Sequence, residues 1–245
     1  AEVVAILGRT AETVAASQAR LKDLFGYDGP GFADFDTLRQ TARPEIVDIC
    51  LPASLHASYA HQALAAGCHV LCEKPLLYDA SLDDDTLRNQ ATALVAAARE
   101  KGLRFGLCSQ FFVAADTCRE LTAAHGGAAP RRIELELRSP SRGRPPDPAQ
   151  CWIDLGPHLV AAPQALCPDG RMVEAHPRVE VDGYNADLWF TLRHAADNRE
   201  ISVHLAVGFT TGTPANVRRI TLDETAFDLL GEAGPDGLFR MRYRS

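Results

Sequence analysis

The 245-residue sequence has no long apolar segment and no excess of basic residues. Its apolar runs fall well short of the roughly 18–20 residues that a membrane helix needs, which excludes a membrane span at sequence level. No charged and then apolar signal segment opens the chain, so we expect a cytoplasmic protein. The formal net charge of −7 argues against nucleic-acid or anionic-membrane partners, because both favour basic surfaces.

Paired cysteine motifs are also lacking. The seven cysteines are odd in number, and no two of them form a Cys-x-x-Cys pair. Cys50, Cys72 and Cys108 lie in apolar, strand-like runs, where cysteine behaves as a small hydrophobic residue. We interpret the cysteines as reduced thiols, which agrees with a cytoplasmic location. A metal site is not expected, because no Cys/His cluster has the spacing of metal ligands.

Strand and helix patterns alternate over residues 1–110. Continuous apolar runs are typical of strands covered on both faces, and the intervening segments have helical caps such as Thr10, Asp36 and Ser81. Repeated βα units of this length predict a parallel sheet with right-handed crossovers. The predicted strands are 3–7, 46–51, 70–72 and 103–108, and the predicted helices are 10–25, 36–43, 56–66 (stopped by Gly67) and 81–101.

The pattern changes after residue 110. Alternation with period two predicts half-exposed strands, which together indicate an antiparallel sheet. We therefore expect an α/β chain with a partial Rossmann domain at 1–110 and an α+β domain at 111–245. The predicted elements of the second domain are helices 111–125 and 151–166, a surface loop at 139–149, and strands 132–138, 178–181, 188–193, 201–206 and 217–222.

The segment His69–Pro75 is the most informative motif. A short apolar strand ends in Glu73-Lys74-Pro75, so an acid and a base lie at the carboxyl end of a strand. In open α/β sheets ligands bind at that edge. Proline also restricts the residue before it, which holds Lys74 in a narrow backbone range. The alternative is a strand that leaves the sheet into a solvated loop.

This motif is one part of a larger constellation. The strand 47–52 ends in Pro52, His56 follows at a helix start, and an Ala-Leu-x-x-Gly stretch occupies 63–67 ahead of Glu73-Lys74-Pro75. Together these parts resemble the Gfo/Idh/MocA oxidoreductases, a family that includes glucose–fructose oxidoreductase and inositol dehydrogenase.

A second block supports the resemblance. Asp154-Leu155-Gly156-Pro157-His158 resembles the family's Asp-x-Gly-x-His element at the start of a helix in the second domain. Asp154 and His158 share a helical face because they are four residues apart. The alternative is an ordinary helix N-terminus with a capping aspartate.

The resemblance implies a nicotinamide cofactor and a sugar, cyclitol or related polyol or carbonyl substrate. Lys74 would stabilise alkoxide charge. His158 would move the proton, since an ordinary imidazole titrates near pH 6.5. Asp154 would orient His158 or bind a substrate hydroxyl, and Glu73 would fix Lys74 or its backbone. In some relatives the lysine is the base, so the division of roles is a hypothesis. The implied substrate residues are Lys74, Gln110, Trp152, Asp154 and His158.

The cofactor prediction depends on the segment after the first strand. NAD sites usually have an acid there, whereas this chain has Gly8-Arg9-Thr10. Arg9 and Thr10 could bind a 2′-phosphate, which favours NADP over NAD. The alternative is a solvated arginine at a helix start. The predicted cofactor residues are Gly8, Arg9, Thr10, Leu51, Pro52, His56, Glu73 and Lys74.

Departures from the family pattern keep other functions open. No Gly-x-Gly-x-x-Gly turn follows a strand, and the glycines at 26–31 follow a helix. We therefore expect an N-terminally truncated fragment or incomplete reading frame, whose missing strand would lie mid-sheet and leave two apolar edges exposed. Gln110 replaces an arginine, and Val160-Ala161 replace an aspartate.

Two alternative functions follow from these departures. One is a catalytically silent, dinucleotide-binding sensor or partner-binding relative, or an inactive fragment. The other is a glycosidase-like enzyme that uses NAD internally. The partner is a small molecule in the enzymatic cases, and an open sheet face is compatible with a homodimer or homotetramer.

Overall fold

The computed structural model describes residues 2–212, 216–235 and 239–245. The chain folds into two compact units, Ala1–Cys108 and Ser109–Ser245. The elements of the first unit are β1 (Ile6–Leu7), α1 (Ala11–Phe25), β2 (Gly31–Phe32), α2 (Phe35–Ala42), β3 (Ile46–Ile49), α3 (Ala53–Ala65), β4 (His69–Cys72), α4 (Asp84–Glu100) and β5 (Phe105–Leu107).

The second unit carries two helices and eight strands. They are α5 (Gln110–Ala124), β6 (Arg132–Pro140), α6 (Pro148–Leu166), β7 (Gly170–Met172), β8 (Arg178–Asp182), β9 (Asn185–His194), β10 (Glu200–Thr210), β11 (Val217–Leu222), β12 (Thr225–Ala233) and β13 (Phe239–Arg244). The predicted α/β class, with a parallel part followed by a largely antiparallel part, is confirmed.

All described strands of the first unit are parallel, but they form two separate sheets. One contains β1 and β2, and the other has the order β3-β4-β5. Within the described residues β1 and β3 do not pair. Apolar residues near both edges are exposed, with Val4 at 42% and Ile46 at 54%.

Several predicted boundaries in this unit were wrong. Only Ile6 and Leu7 of the predicted strand 3–7 pair, because β2 offers just two residues. The strand predicted over 46–51 ends at Ile49 and is not buried along its length, since Ile46 and Asp48 are exposed.

The helix starts needed correction too. Asp34, not Asp36, caps α2, and its carboxylate accepts the Thr37 N–H at 2.8 Å. Asp83, not Ser81, caps α4, whereas Ser81 donates to the Asp79 carboxylate.

Small side chains bring α3 close to the three-stranded sheet. The helix places Ala60, Ala63 and Leu64 against the sheet side of the core, and each is no more than 1% exposed. A left-handed Gly67 (φ 81°) ends this segment as predicted and lets the chain turn directly into β4. The core cluster contains Phe35, Ile49, Ala60, Ala63, Leu64, Cys68, Val70, Cys72, Leu94 and Ala98.

The second unit is built on one eight-stranded sheet. Its main order is β13-β12-β11-β6-β10-β9-β7, and β8 also pairs with β9. The β6–β10 pair is parallel and the other pairs are antiparallel. Core residues alternate along β10, where Val203, Leu205 and Val207 are buried while His204 is half-buried on the opposite face.

The opposite face of this sheet is polar. His204 stacks on Trp189 at 4.5 Å between ring centroids and bonds to the Asp187 carboxylate at 2.7 Å. Arg138 donates to Glu136, and Arg219 donates to Asp228. Self-association through this face stays a prediction.

Several predicted elements of the second unit were longer than expected, among them β9 (Asn185–His194) and β10 (Glu200–Thr210). Strand β6 extends to Pro140, into the predicted loop, because Thr210 of β10 pairs with that residue. Helix α6 begins at Pro148, since Asp147 caps it by accepting the Gln150 N–H at 2.9 Å. Within the described part of the chain, no helix is long and apolar enough to cross a membrane.

The burial contrast within the large sheet predicts the effect of two matched substitutions. Val207→Ala removes a fully buried side chain and should lower the free energy of unfolding by about 2 kcal/mol. Val179→Ala, at a position that is 53% exposed, should change it by less than about 0.5 kcal/mol. Urea unfolding followed by tryptophan fluorescence measures both, because Trp152 and Trp189 lie in this unit. Equal effects would contradict the assigned facing of β10.

Candidate functional site

The carboxyl ends of β3, β4 and β5 form one edge in the first unit. Ile49 pairs with Cys72, and Cys72 pairs with Leu107. The residues that follow, Cys50, Glu73 and Cys108, therefore lie side by side. Backbone bonds continue the pairing one step further, from the Glu73 N–H to the Ile49 carbonyl (2.9 Å) and from the Cys108 N–H to the Cys72 carbonyl (2.8 Å). Such an edge is the usual ligand-binding region of a parallel sheet.

Lys74 stands on this edge with its backbone fixed by its neighbour. The Glu73 carboxylate accepts the Lys74 N–H at 3.2 Å, and both side chains are half-buried. The Lys74–Pro75 peptide is cis. Glu73 thus contacts the lysine's backbone, one of the two roles expected for it.

The predicted cofactor residue His56 lies beneath the edge. It is the fourth residue of α3 and is only 1% exposed. Its Nε2 lies 2.7 Å from the Leu51 carbonyl oxygen and its Nδ1 lies 2.8 Å from the Pro75 carbonyl oxygen. Both ring nitrogens therefore contact backbone carbonyl groups of the protein. Leu51 and Pro52 lie in the turn between β3 and α3 and are more accessible to solvent.

Three thiols on this edge have raised pKa values. Desolvation, followed by the negative charges of Asp48 and Glu73, raises the pKa of Cys50 to about 11. Desolvation and the neighbouring Cys108 raise the pKa of Cys72 to about 12, and that of Cys108 is raised in the same direction. The thiols are therefore protonated and uncharged at neutral pH.

Gly8, Arg9 and Thr10 connect β1 to α1. The Thr10 hydroxyl caps the helix by accepting the Thr13 N–H at 3.3 Å, and the Thr13 hydroxyl accepts the Thr10 N–H in return. A Cβ on Gly8 would lie 2.7 Å from Val14, which requires a glycine for this close approach. Arg9 is exposed at the helix N-terminus, where the helix dipole also favours an anion.

The second block of predicted residues lies in the middle of α6, not at its start. Because Asp147 is the helix cap, Asp154 is no capping residue, which removes that alternative. Asp154 and His158 are one turn apart on this helix. The Ser109 hydroxyl donates to the His158 backbone carbonyl at 3.4 Å, tying the start of α5 to this turn.

Arg144 is a site residue that sequence reasoning missed. Its guanidinium pairs with the Asp154 carboxylate at 3.4 Å and donates to the Ser141 carbonyl at 3.0 Å. It also lies over the Phe209 ring, 3.8 Å from the centroid. The arginine occurs in a Pro- and Arg-rich segment without periodicity, so no sequence signal paired it with a residue ten positions later.

Trp152 and Gln110 have different surroundings. The Trp152 indole packs so closely on Gly156 that a Cβ there would lie 2.7 Å from the ring. Gln110 is exposed at the first position of α5, after its cap Ser109. Lys74 lies in the first unit, whereas Gln110, Trp152, Asp154 and His158 lie in the second.

Comparison with known proteins agrees with this arrangement. Residues 1–108 match the GFO_IDH_MocA family, described as an oxidoreductase family with an NAD-binding Rossmann fold. This match covers 108 of the 245 residues, and over them it confirms the resemblance predicted from Glu73-Lys74-Pro75 and its surroundings.

A curated relative shares sequence with part of the chain. The dTDP-3,4-didehydro-2,6-dideoxy-alpha-D-glucose 3-reductase of Actinomadura kijaniata is 40% identical over 84 residues. The match covers 34% of this chain and 22% of that reductase, so it spans about a fifth of the relative's length.

Solved structures cover more of the chain. KijD10, a 3-ketoreductase from Actinomadura kijaniata in complex with NADP, aligns with a TM-score of 0.62 at 26% identity, over 93% of this chain and 66% of its own. The UDP-N-acetylglucosamine 3-dehydrogenase GnnA from Acidithiobacillus ferrooxidans aligns with a TM-score of 0.63 at 20% identity, over 99% and 75%. The second similarity shows a shared fold that extends through both units.

The raised thiol pKa values predict slow alkylation of Cys50, although this thiol is exposed. At pH 7.5 iodoacetamide should modify it at least about tenfold more slowly than a free thiol of ordinary pKa, because little thiolate is present. The rate should climb until the pH passes about 11.

A neighbouring carboxylate provides the control for this experiment. Asp48→Asn should speed the modification of Cys50 a few-fold, since the lost negative charge favours thiolate. Asp36→Asn, which removes a carboxylate in α2, should leave the rate unchanged. Peptide-level mass spectrometry measures the rates, and a Cys50 rate equal to that of the free thiol would contradict the prediction.

Proposed function

We propose that this protein is an NAD(P)-dependent oxidoreductase that transfers hydride between a nicotinamide cofactor and a sugar or cyclitol. The observation that carries the proposal is Lys74 on the carboxyl edge of the parallel sheet, in a domain that matches the NAD-binding family over residues 1–108. The family match supports a nicotinamide cofactor, and the sugar-modifying relatives support the substrate class.

The names of the relatives suggest which carbon atom of the substrate reacts. The Actinomadura reductase, KijD10 and GnnA are each named for a reaction at position 3. We therefore propose that the substrate of this chain is a hexose, free or nucleotide-linked, with a hydroxyl or keto group at C3.

We assign the cofactor to the edge of the first unit. Leu51 and Pro52 follow β3 and Glu73 follows β4, at the strand ends on which such a cofactor would lie, and Arg9 would bind the 2′-phosphate of NADP. The nicotinamide exchanges a hydride with the substrate carbon when bound. The protonated thiols add no charge beside it, so Lys74 and the two carboxylates Asp48 and Glu73 set the local electrostatics.

Proton and charge handling is assigned to three side chains. The Lys74 ammonium stabilises the negative charge that develops on the substrate oxygen. The His158 imidazole gives or takes the hydroxyl proton. Asp154 binds a substrate hydroxyl, and Arg144, which contacts its carboxylate, holds it in place.

A silent, dinucleotide-binding relative is the second candidate. Two observations favour it, since no glycine-rich turn follows a strand among the described residues and the sheet is interrupted between β1 and β3. Gln110 also stands where the family often has arginine. Such a protein would bind NADPH without consuming it.

Turnover tests the enzyme against the silent binder. The full chain should oxidise NADPH or NADH in the presence of a 3-keto hexose from a carbonyl panel. Lys74→Met should lower kcat at least about 100-fold, since the charge on the developing alkoxide is lost. Lys101→Met, at an exposed helix end, should leave kcat unchanged. NADPH binding without turnover would favour the silent relative.

The pH dependence separates the roles of Lys74 and His158. His158→Asn should flatten one limb of the pH–rate profile, because the proton carrier is replaced by a group that does not titrate. Lys74→Met should reduce the rate while keeping that limb. If the profile of the His158 variant matches that of the parent protein, His158 is not the proton carrier.

Cofactor preference tests the role of Arg9. Arg9→Ala should weaken NADP binding about tenfold or more and leave NAD binding nearly unchanged, because only NADP has the 2′-phosphate. Arg20→Ala, an exposed arginine on the same helix, is the matched control. Fluorescence titration of both reduced cofactors gives the affinities. An unchanged preference in the Arg9 variant would point to a solvated arginine instead.

A further inference from the structure

We propose that His56 is a positioning residue that fixes the backbone at Lys74 by bridging two strand ends. The effect of His56 on catalysis rests on the proposed function. The positioning of the Lys74 backbone does not, because it is a property of the folded chain. The observation behind the proposal is a buried imidazole whose two nitrogens face two carbonyl groups, one of them belonging to the residue directly after Lys74.

The bridge joins segments that are far apart in sequence. Nε2 contacts the Leu51 carbonyl at the end of the β3 segment, and Nδ1 contacts the Pro75 carbonyl in the turn after β4. His56 can reach both because α3 starts at Ala53, with Pro52 as its cap and no side-chain capping bond. The ring is 1% exposed, so water does not compete for these contacts.

The chemistry of the contacts is restrictive. A carbonyl oxygen only accepts hydrogen bonds, so a ring nitrogen bonds to it only when that nitrogen carries a hydrogen, and a neutral imidazole carries one. The proposal places this hydrogen on Nδ1, which then donates to the Pro75 carbonyl. A leucine of similar volume would leave that carbonyl without its donor, at a cost typical of unsatisfied polar groups.

Lys74 is consequently fixed from both sides. Glu73 accepts its backbone N–H at 3.2 Å, and His56 holds the carbonyl of the next residue at 2.8 Å. A lysine side chain has several rotatable bonds and cannot place its ammonium reproducibly unless its backbone is held. Small displacements of a catalytic group cost large factors in rate, which gives the bridge a catalytic consequence.

The lysine content of the chain allows a direct test without cofactor or substrate. The sequence has only three lysines, Lys22, Lys74 and Lys101. Competitive reductive methylation, read by mass spectrometry, reports the reactivity of each amine separately. Lys22, in a surface ion pair with Asp28, is the reference. Lys101 donates to the Ala65 carbonyl of α3 at 3.4 Å, so it reports any general displacement of that helix.

Three variants define the outcome. In His56→Leu the Lys74 rate should change at least about threefold relative to Lys22, while Lys101 stays constant. His56→Gln, which retains an N–H donor, should restore part of the parent value. His61→Leu, at an exposed position of the same helix, should change nothing. An unchanged Lys74 rate in folded His56→Leu overturns the proposal, and so does a parallel change at Lys101, which would indicate only a structural role.

Nuclear magnetic resonance provides a readout that needs no variant. In protein labelled with ¹⁵N-histidine at pH 7, the His56 Nδ1 should carry a proton that exchanges slowly with water. An unprotonated Nδ1 overturns the proposal, because the bond to Pro75 would then not exist. This measurement stands even if His56→Leu fails to fold.

Kinetics distinguishes failure of this proposal from failure of the proposed function. If the chain turns over a 3-keto hexose, His56→Leu should lower kcat about tenfold or more with a smaller change in KM, and His56→Gln should recover part of the loss. If the chain has no turnover, the labelling and the Nδ1 proton still decide the positioning role. A normal kcat in His56→Leu together with unchanged Lys74 labelling in that variant would refute the positioning role alone.

Discussion

The parallel pairing of β3, β4 and β5 is the constraint on which the candidate site depends. Its register brings Cys50, Glu73 and Cys108 into one row, although they are separated along the chain by two helices. Short strands suffice because small residues of α3 allow the helix to lie close to the sheet. The buried His56 and the half-buried Lys74 both take their positions from this edge.

In the second unit a single helix carries the two candidate catalytic residues. A single long helix, α6, presents Asp154 and His158 one turn apart, and the large sheet below it supplies a rigid support. Arg144 reaches Asp154 from the segment after β6 and is itself held by Phe209 of β10. The polar chemistry of this unit therefore rests on contacts between elements that are distant in sequence.

Features that depend on a local residue pattern could be predicted from the sequence. Features that depend on a partner far away in the sequence could not. Glu73-Lys74-Pro75 and Gly67 were readable because each marks a strand or helix end by itself. Asp34 and Asp36 are equally suitable helix caps by residue type, and only the structure shows that Asp34 accepts the Thr37 N–H. Likewise, nothing near Val3 indicates that its neighbouring strand is only two residues long.

Side-chain partnerships were the least predictable part of the site. His56 could be placed on a helix from its spacing, but its two carbonyl partners lie 5 and 19 residues away and have no side-chain signature. The Arg144–Asp154 pair is similar, since its geometry depends on where β6 ends.

The protonated thiols have a consequence for the durability of the site. Peroxides attack thiolates, and desolvation, with the carboxylates Asp48 and Glu73, suppresses that form at Cys50. An edge that carries three sulfur atoms beside its one ammonium group is therefore slow to form sulfenic acid or mixed disulfides. Oxidants that rapidly modify enzymes with acidic cysteines would therefore modify this surface more slowly.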